Sequence, residues 1–186
     1  MLNSRRIAEG TGDYFYALDL YDFSFPRYEQ IDIRIIMAVS GSDAGDYFVI
    51  LDGETRVGTA YMLYGRDLVY LYYLAVDPGF RGKGYGSDIL SMIKDRNPGC
   101  RIALNSEAPD ETAANYLQRL DRIRFYEKNG FRDTGVRMPW RGVVFALMTY
   151  GGDVTVSELL PVFAKESYYA YKFRRRRPPE PFYWIS

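Results

Sequence analysis

Between an apolar run, Leu68 to Val76, and an amphipathic stretch, Ser87 to Arg96, the chain carries Arg81-Gly82-Lys83-Gly84-Tyr85-Gly86. Glycines at alternate positions let the backbone approach a ligand with no Cβ atoms in the way. A helix that follows such a loop points free amides and the positive end of its dipole at one spot, which suits an anion such as a pyrophosphate. Arg81 and Lys83 add positive charge beside it. Two familiar phosphate loops do not fit. The Walker pattern needs Lys-Ser/Thr after its last glycine, and Tyr85 follows Gly84; the dinucleotide pattern needs Gly or Ala where Ser87 stands. Taken alone, the loop reads equally well as a turn with no ligand.

The elements around it predict a mixed sheet. Tyr47 to Leu51 reads as a strand, and Asp52-Gly53 as a hairpin turn into Val57 to Tyr64. Leu68 to Val76 is apolar throughout, the pattern of a central strand buried on both faces. Asn97-Pro98-Gly99 stops the helix that begins at Ser87. Arg101 to Asn105 is strand-like, and Ala113 to Lys128 is helical with a stripe of Tyr116, Leu117, Leu120, Ile123 and Tyr126. Asn129-Gly130 ends that helix. Phe131 to Met138 and Val143 to Thr149 are closing strands. Thr155 and Glu158 have capping-box spacing ahead of a short late helix. Glu29 to Val39 is a further candidate helix, and Asp13 to Leu20 is spaced only loosely for one. The order predicts an α/β (mixed α+β) fold with about six to seven strands and four to five helices. Residues 1–166 form one domain in this reading, and 167–186 form a basic, aromatic, Pro-containing tail.

Composition removes much chemistry. There is no histidine and one cysteine, Cys100, so His-based triads and dyads, a structural zinc site and an intrachain disulfide are excluded. No metal is expected. Lys+Arg and Asp+Glu both number 24, which argues against a nucleic-acid partner despite the run Arg174 to Arg177. No apolar stretch approaches the roughly 20 residues of a membrane helix, and no signal peptide is expected, so the default location is cytoplasmic. Aromatics make up 17% of the chain, 18 of them tyrosine, which leaves tyrosines and carboxylates to move protons.

Two separated segments carry a family likeness. Arg81, Gly84 and Gly86, after Leu74-Ala75-Val76-Asp77-Pro78, fill the acyl-CoA loop pattern Arg/Gln-x-x-Gly-x-Gly/Ala. Phe125-Tyr126-Glu127-Lys128-Asn129-Gly130-Phe131 is similar to the pattern Phe-Tyr-x-x-x-Gly-Phe. Over residues 47–149 the chain resembles the GNAT N-acetyltransferase family. The resemblance implies a central sheet that splays into a cofactor cleft. It implies that acetyl-CoA is the donor and an unidentified primary amine, in a small molecule or peptide, the acceptor. Arg81, Gly82, Lys83, Gly84, Tyr85 and Gly86 would bind its pyrophosphate, with Ser87 adding a hydroxyl, and the main chain of Leu74, Ala75 and Val76 would pair with its pantetheine.

By the same resemblance Tyr126 would be the general acid, and Glu107, after the strand that ends near Ser106, the base. A tyrosine packed in the core and a solvated loop glutamate are the plainer readings of these two. Many relatives carry Asn where Arg119 stands here, and Asn115 lies one turn earlier. The acceptor is set by loops near Phe25 to Gln30, Ser106 to Thr112 and Arg137 to Gly142. The alternative reading is a non-catalytic acyl-CoA-binding module of the same fold. The aromatic tail (Tyr168, Tyr169, Tyr171, Phe173, Phe182, Tyr183 and Trp184) points to a homodimer.

Overall fold

The computed structural model describes residues 2–174. Seven strands and five α-helices follow in the order β1 (Leu2–Arg6), α1 (Gly12–Ser24), α2 (Ile33–Ser40), β2 (Gly45–Asp52), β3 (Thr55–Tyr64), β4 (Leu68–Val76), α3 (Tyr85–Arg96), β5 (Arg101–Glu107), α4 (Tyr116–Lys128), β6 (Arg132–Trp140), β7 (Val143–Tyr150) and α5 (Val156–Arg174). A 3-10 turn, Pro78–Phe80, links β4 to the glycine loop. The strands form one sheet in the order β1-β2-β3-β4-β5-β7-β6. All neighbours are antiparallel except β4 and β5, whose parallel pairing needs the α3 crossover between them. This is the expected mixed sheet.

Each face of the sheet carries its own core. On one, Leu68, Tyr70 and Tyr73 of β4 pack with Ala17 and Tyr21 of α1, Ile36 and Val39 of α2, and Leu159 and Phe163 of α5. On the other, Val69 and Leu71 pack with Ile89, Leu90 and Ile93 of α3. Strict alternation breaks once. The register of β4 against β3 runs Tyr61 with Tyr73 and then Met62 with Leu71, so Tyr72 is an extra residue. Such a bulge leaves one residue unpaired and turns its neighbours. Tyr72 and Tyr73 therefore share the α1 and α5 face with Tyr70, while Leu71 and Leu74 point to the α3 face.

Several expectations are corrected. Edge strand β1 has no alternating apolar pattern and was not anticipated. The helix expected from Glu29 starts at Ile33, because Asp32 caps it by accepting from the Arg34 amide at 2.9 Å. Leu117 is not part of an inward stripe but 72% exposed; the buried member of α4 is Arg119. The boundary expected at 166/167 falls inside α5, whose start has the anticipated box, Glu158 accepting from the Thr155 amide at 2.8 Å. Tyr169 and Phe173 pack against the core, while Tyr168 and Tyr171 are exposed. Phe182, Tyr183 and Trp184 lie outside the described residues, as does Arg175 to Arg177 of the basic run.

Candidate active site

Strands β4 and β5 pair at three positions only: Leu68 with Arg101, Val69 with Ile102 and Tyr70 with Ala103. Beyond Tyr70, β4 stays with β3 as far as Val76, while β5 follows β7 as far as Glu107. The two central strands part there. Between them opens a cleft of about 890 Å3, walled on one side by Leu74, Ala75 and Val76.

At one end of the cleft sits the glycine loop. Asp77 accepts from the Gly79 amide at 2.9 Å and fixes the turn out of β4. Gly84 then takes φ +91° as the residue before α3, a conformation that costs a side-chain-bearing residue strain, and no side chain caps the helix. The first amides of α3, on Tyr85 and Gly86, have no intrahelical acceptor and border the cleft. A Cβ on Gly86 would lie 3.0 Å from the Phe125 ring, so this glycine lets α3 start hard against α4. An uncapped helix start beneath a left-handed turn can hold an anion by its backbone alone.

The side chains nearby mostly brace the loop. Arg81 Nε donates to the Val76 carbonyl at 3.0 Å, and its guanidinium lies 5.4 Å from the Phe23 ring centroid. The Tyr85 hydroxyl donates to Asp52 at 2.6 Å. Arg81, Gly82, Gly84, Tyr85, Gly86 and Ser87 all line the cleft. Lys83, expected with them, does not: its ammonium turns back to donate to the Gly79 carbonyl at 2.9 Å and lies 5.3 Å from the Phe80 ring centroid.

Tyr126 borders the cleft farther along. The sequence that follows it explains how it is held. The Phe131 amide donates to the Tyr126 carbonyl at 3.0 Å and the Gly130 amide to that of Glu127 at 2.9 Å, with Gly130 at φ +81°. That is a Schellman C-cap, and it locks the last turn of α4. Burial pushes the Tyr126 phenol up to about 12, partly offset by the Arg122 guanidinium and reinforced by Glu29. It therefore keeps its proton at neutral pH.

Glu107 also lines the cleft, but as the last residue of β5 rather than in a loop after it, and it is only 4% exposed. Its carboxylate is fully engaged. Arg119 Nη2 lies 3.3 Å from one oxygen, Arg122 pairs with the other, and Tyr28 Oη and Asn115 Nδ2 each donate at 3.0 Å. Four donors on its two oxygens leave no open lone-pair direction for an incoming amine, so the expected role as base meets a geometric objection. Arg119 turns inward to Asn115, the Ala108 carbonyl and Glu107, whereas Asn115 reaches the cleft.

The residue that sequence reasoning passed over is Glu29. It lies in the segment between α1 and α2, half-buried at the cleft wall. Burial, and then repulsion from Glu107, raise its carboxyl to about 7, with Arg122 and Arg119 pulling the other way. A carboxylate tuned there is half ionised near neutrality and can accept a proton. The expected acceptor loops do meet around it. Arg141 and Gly142 turn the β6–β7 hairpin with φ +46° and +84°, and Arg141 Nη1 donates to the Tyr28 carbonyl at 3.1 Å.

Comparison with known proteins agrees with this geometry. Residues 43–133 match the family model described as an acetyltransferase (GNAT) domain. Over 92 residues the chain is 33% identical to a mycothiol acetyltransferase of Rhodococcus erythropolis. The match takes in 48% of this chain and spans only 30% of that relative's length. Among solved structures, a GNAT-family protein from Bacteroides thetaiotaomicron superimposes with TM-score 0.69 at 19% identity, covering 92% of this chain and 94% of that one. A GNAT-family acetyltransferase of Elizabethkingia anophelis with acetyl-CoA bound gives TM-score 0.55 at 14% identity, over 80% and 97%. At such identities the likeness is one of fold. Among the described residues no helix is long and apolar enough to cross a membrane, and no cluster of three or more metal-ligating side chains occurs.

Proposed function

Because the chain belongs to the GNAT acetyltransferase family, we propose that it is an N-acetyltransferase moving an acetyl group from acetyl-CoA to a primary amine by direct attack. The parting of β4 from β5 beyond Tyr70 carries this reading, since it joins the glycine loop, Tyr126 and Glu29 in one cleft. The residues fit the donor. The uncapped start of α3 and the left-handed Gly82 and Gly84 suit a pyrophosphate, with the Ser87 hydroxyl at hand. The free edge of β4 at Leu74, Ala75 and Val76 suits the amides of a pantetheine arm.

The chemistry then divides between two side chains. Glu29 accepts the proton that the amine must lose before its lone pair can attack the thioester carbonyl. As the carbon–sulfur bond breaks, the Tyr126 phenol donates to the departing sulfur, and the second proton that the acylated nitrogen sheds restores the phenol, while Glu29 gives the first to solvent. A phenol near 12 is a much weaker acid than a thiol near 8.5, so it acts first as a hydrogen-bond donor and only then as a proton source. Glu107 positions Tyr28, Asn115 and the two arginines around them. A binding module without catalysis would need neither Tyr126 nor Glu29 at the cleft. A cytoplasmic location and a homodimer through the exposed Tyr168 and Tyr171 of α5 complete the proposal.

The test is a thermal melt with and without saturating acetyl-CoA, repeated on Gly84→Glu. Donor at about 100 times its dissociation constant adds roughly 2.7 kcal/mol to the wild type. A folded Gly84→Glu variant should show no such shift, because a side chain at φ +91° is strained and its carboxylate repels the anion. A folded wild type that melts identically with donor would overturn the reading.

A further inference from the structure

We propose that the acceptor is a primary amine borne on a slender, unbranched carbon chain, held in an aromatic side pocket of the cleft; this rests on the acetyl-transfer reading above. A second cavity of about 80 Å3 adjoins the first, and Glu29, Tyr72, Asn105 and Phe145 line both. Tyr70 and Tyr73 belong to the small cavity alone. Three of its rings stand on one face of one strand only because the bulge at Tyr72 breaks the alternation of β4.

Two acceptors stand out among the groups that line this pocket, which also include the side chains of Tyr70, Tyr72, Tyr73 and Trp140. Asn105 Oδ1 is buried with no hydrogen-bond partner, and the Glu29 carboxyl stands where the two cavities meet. An orphaned buried carbonyl costs free energy until a donor reaches it. An ammonium supplies N–H donors, and the faces of tyrosine and phenylalanine rings attract its charge. The nitrogen therefore belongs at the junction, beside Glu29 and in reach of the donor, with its carbon chain running back between Tyr70, Tyr72 and Phe145.

Size sets the rest. A single water needs roughly 10–15 Å3 of such space, so the pocket holds on the order of six water-sized groups. That admits the chain of a linear alkylamine or of a lysine side chain. A pyranose ring with its substituents is too large.

The experiment measures thiol release from acetyl-CoA by the full chain with n-pentylamine, 1,5-diaminopentane, an N-terminally blocked lysine peptide and glucosamine. Unbranched amines should exceed glucosamine at least tenfold in kcat/KM, and the peptide against the free amines separates the two sources of such a chain. N,N-dimethylpentylamine, which forms no stable amide, should compete with n-pentylamine and not with acetyl-CoA. Tyr70→Trp, which fills the pocket, should raise KM for n-pentylamine at least tenfold and leave KM for acetyl-CoA within twofold. Equal or better turnover of glucosamine, or no competition by the tertiary amine, overturns the proposal without any need for the variant to fold. If acetyl-CoA binds and no unbranched amine reacts, the proposal alone fails. If acetyl-CoA itself does not bind, the acetyl-transfer reading fails first.

Discussion

The hydroxyl of Tyr73 lies 2.6 Å from the carbonyl oxygen of Glu29 and donates to it. Two residues on, the Ile31 amide donates to the Tyr21 hydroxyl at 2.9 Å. The central strand and α1 thus tether the segment that brings Glu29 to the cleft. Loss of one such bond costs about 1 kcal/mol, or roughly a fivefold effect on a correctly placed population. Tyr73→Phe is expected to lower kcat by about that factor while leaving KM for acetyl-CoA unchanged, as steady-state kinetics would reveal.

Removing the Glu29 carboxylate is a harsher change. Glu29→Gln is expected to lower turnover by about 10²- to 10⁴-fold. With its carboxyl at about 7, the wild-type kcat/KM should rise with pH through that value and then level off, because the ionised form accepts the proton. A pH–rate profile of the variant should lack this inflection; if it persists, the base lies elsewhere.

Tyr126→Phe separates acid from scaffold. The ring contacts with Phe125 and Phe131 survive, at centroid distances of 5.1 and 5.8 Å, so the fold should hold. Turnover is expected to fall about 10²-fold with donor binding intact, measured by calorimetry beside initial rates. An unchanged kcat would remove Tyr126 from the chemistry.

Glu107 should behave as a structural residue. Glu107→Gln leaves Arg119 buried opposite a neutral group, a change that typically costs about 3–5 kcal/mol. Denaturant melts should register that loss, while the inflection assigned to Glu29 moves below pH 7 in whatever activity remains, because the repulsion from Glu107 is gone.

Glu166 does not line the cleft and serves as a stability probe. Burial alone raises its carboxyl to about 8, and its Oε2 is buried without a partner. The folded state keeps the proton in a range where the unfolded chain releases it. Wild-type stability therefore falls as pH climbs from about 4.5 to about 8, by up to several kcal/mol at about 1.4 per unit. Glu166→Gln should match the wild type near pH 4.5 and exceed it increasingly toward pH 8 in thermal melts.

Much of this was legible in the chain because the informative signals are local. The glycine loop, the asparagine-glycine stop after α4 and the apolar run of β4 each depend on neighbours a few residues away. The place of Glu29 at the cleft wall was not legible. What holds its segment at the cleft is Tyr73, distant in sequence, together with the nearer Tyr21, and what tunes it is burial together with Glu107. Glu107 was legible as a cleft residue but its partners were not, since no spacing rule reveals four donors arriving from Tyr28, Asn115, Arg119 and Arg122. Leu117 fails for a related reason: helical period tells which residues share a stripe, not where a partner surface ends.

Tyr72 can also be seen as a surplus residue. Delete it, and Tyr73 drops into its slot while Leu74 follows onto the face it already occupies, so β4 would read as an ordinary strand still in step with β3. What would vanish is the bend that a surplus residue imposes, at the place where β4 leaves β5 after Tyr70. In this protein, one surplus residue sits where a continuous sheet gives way to a cleft.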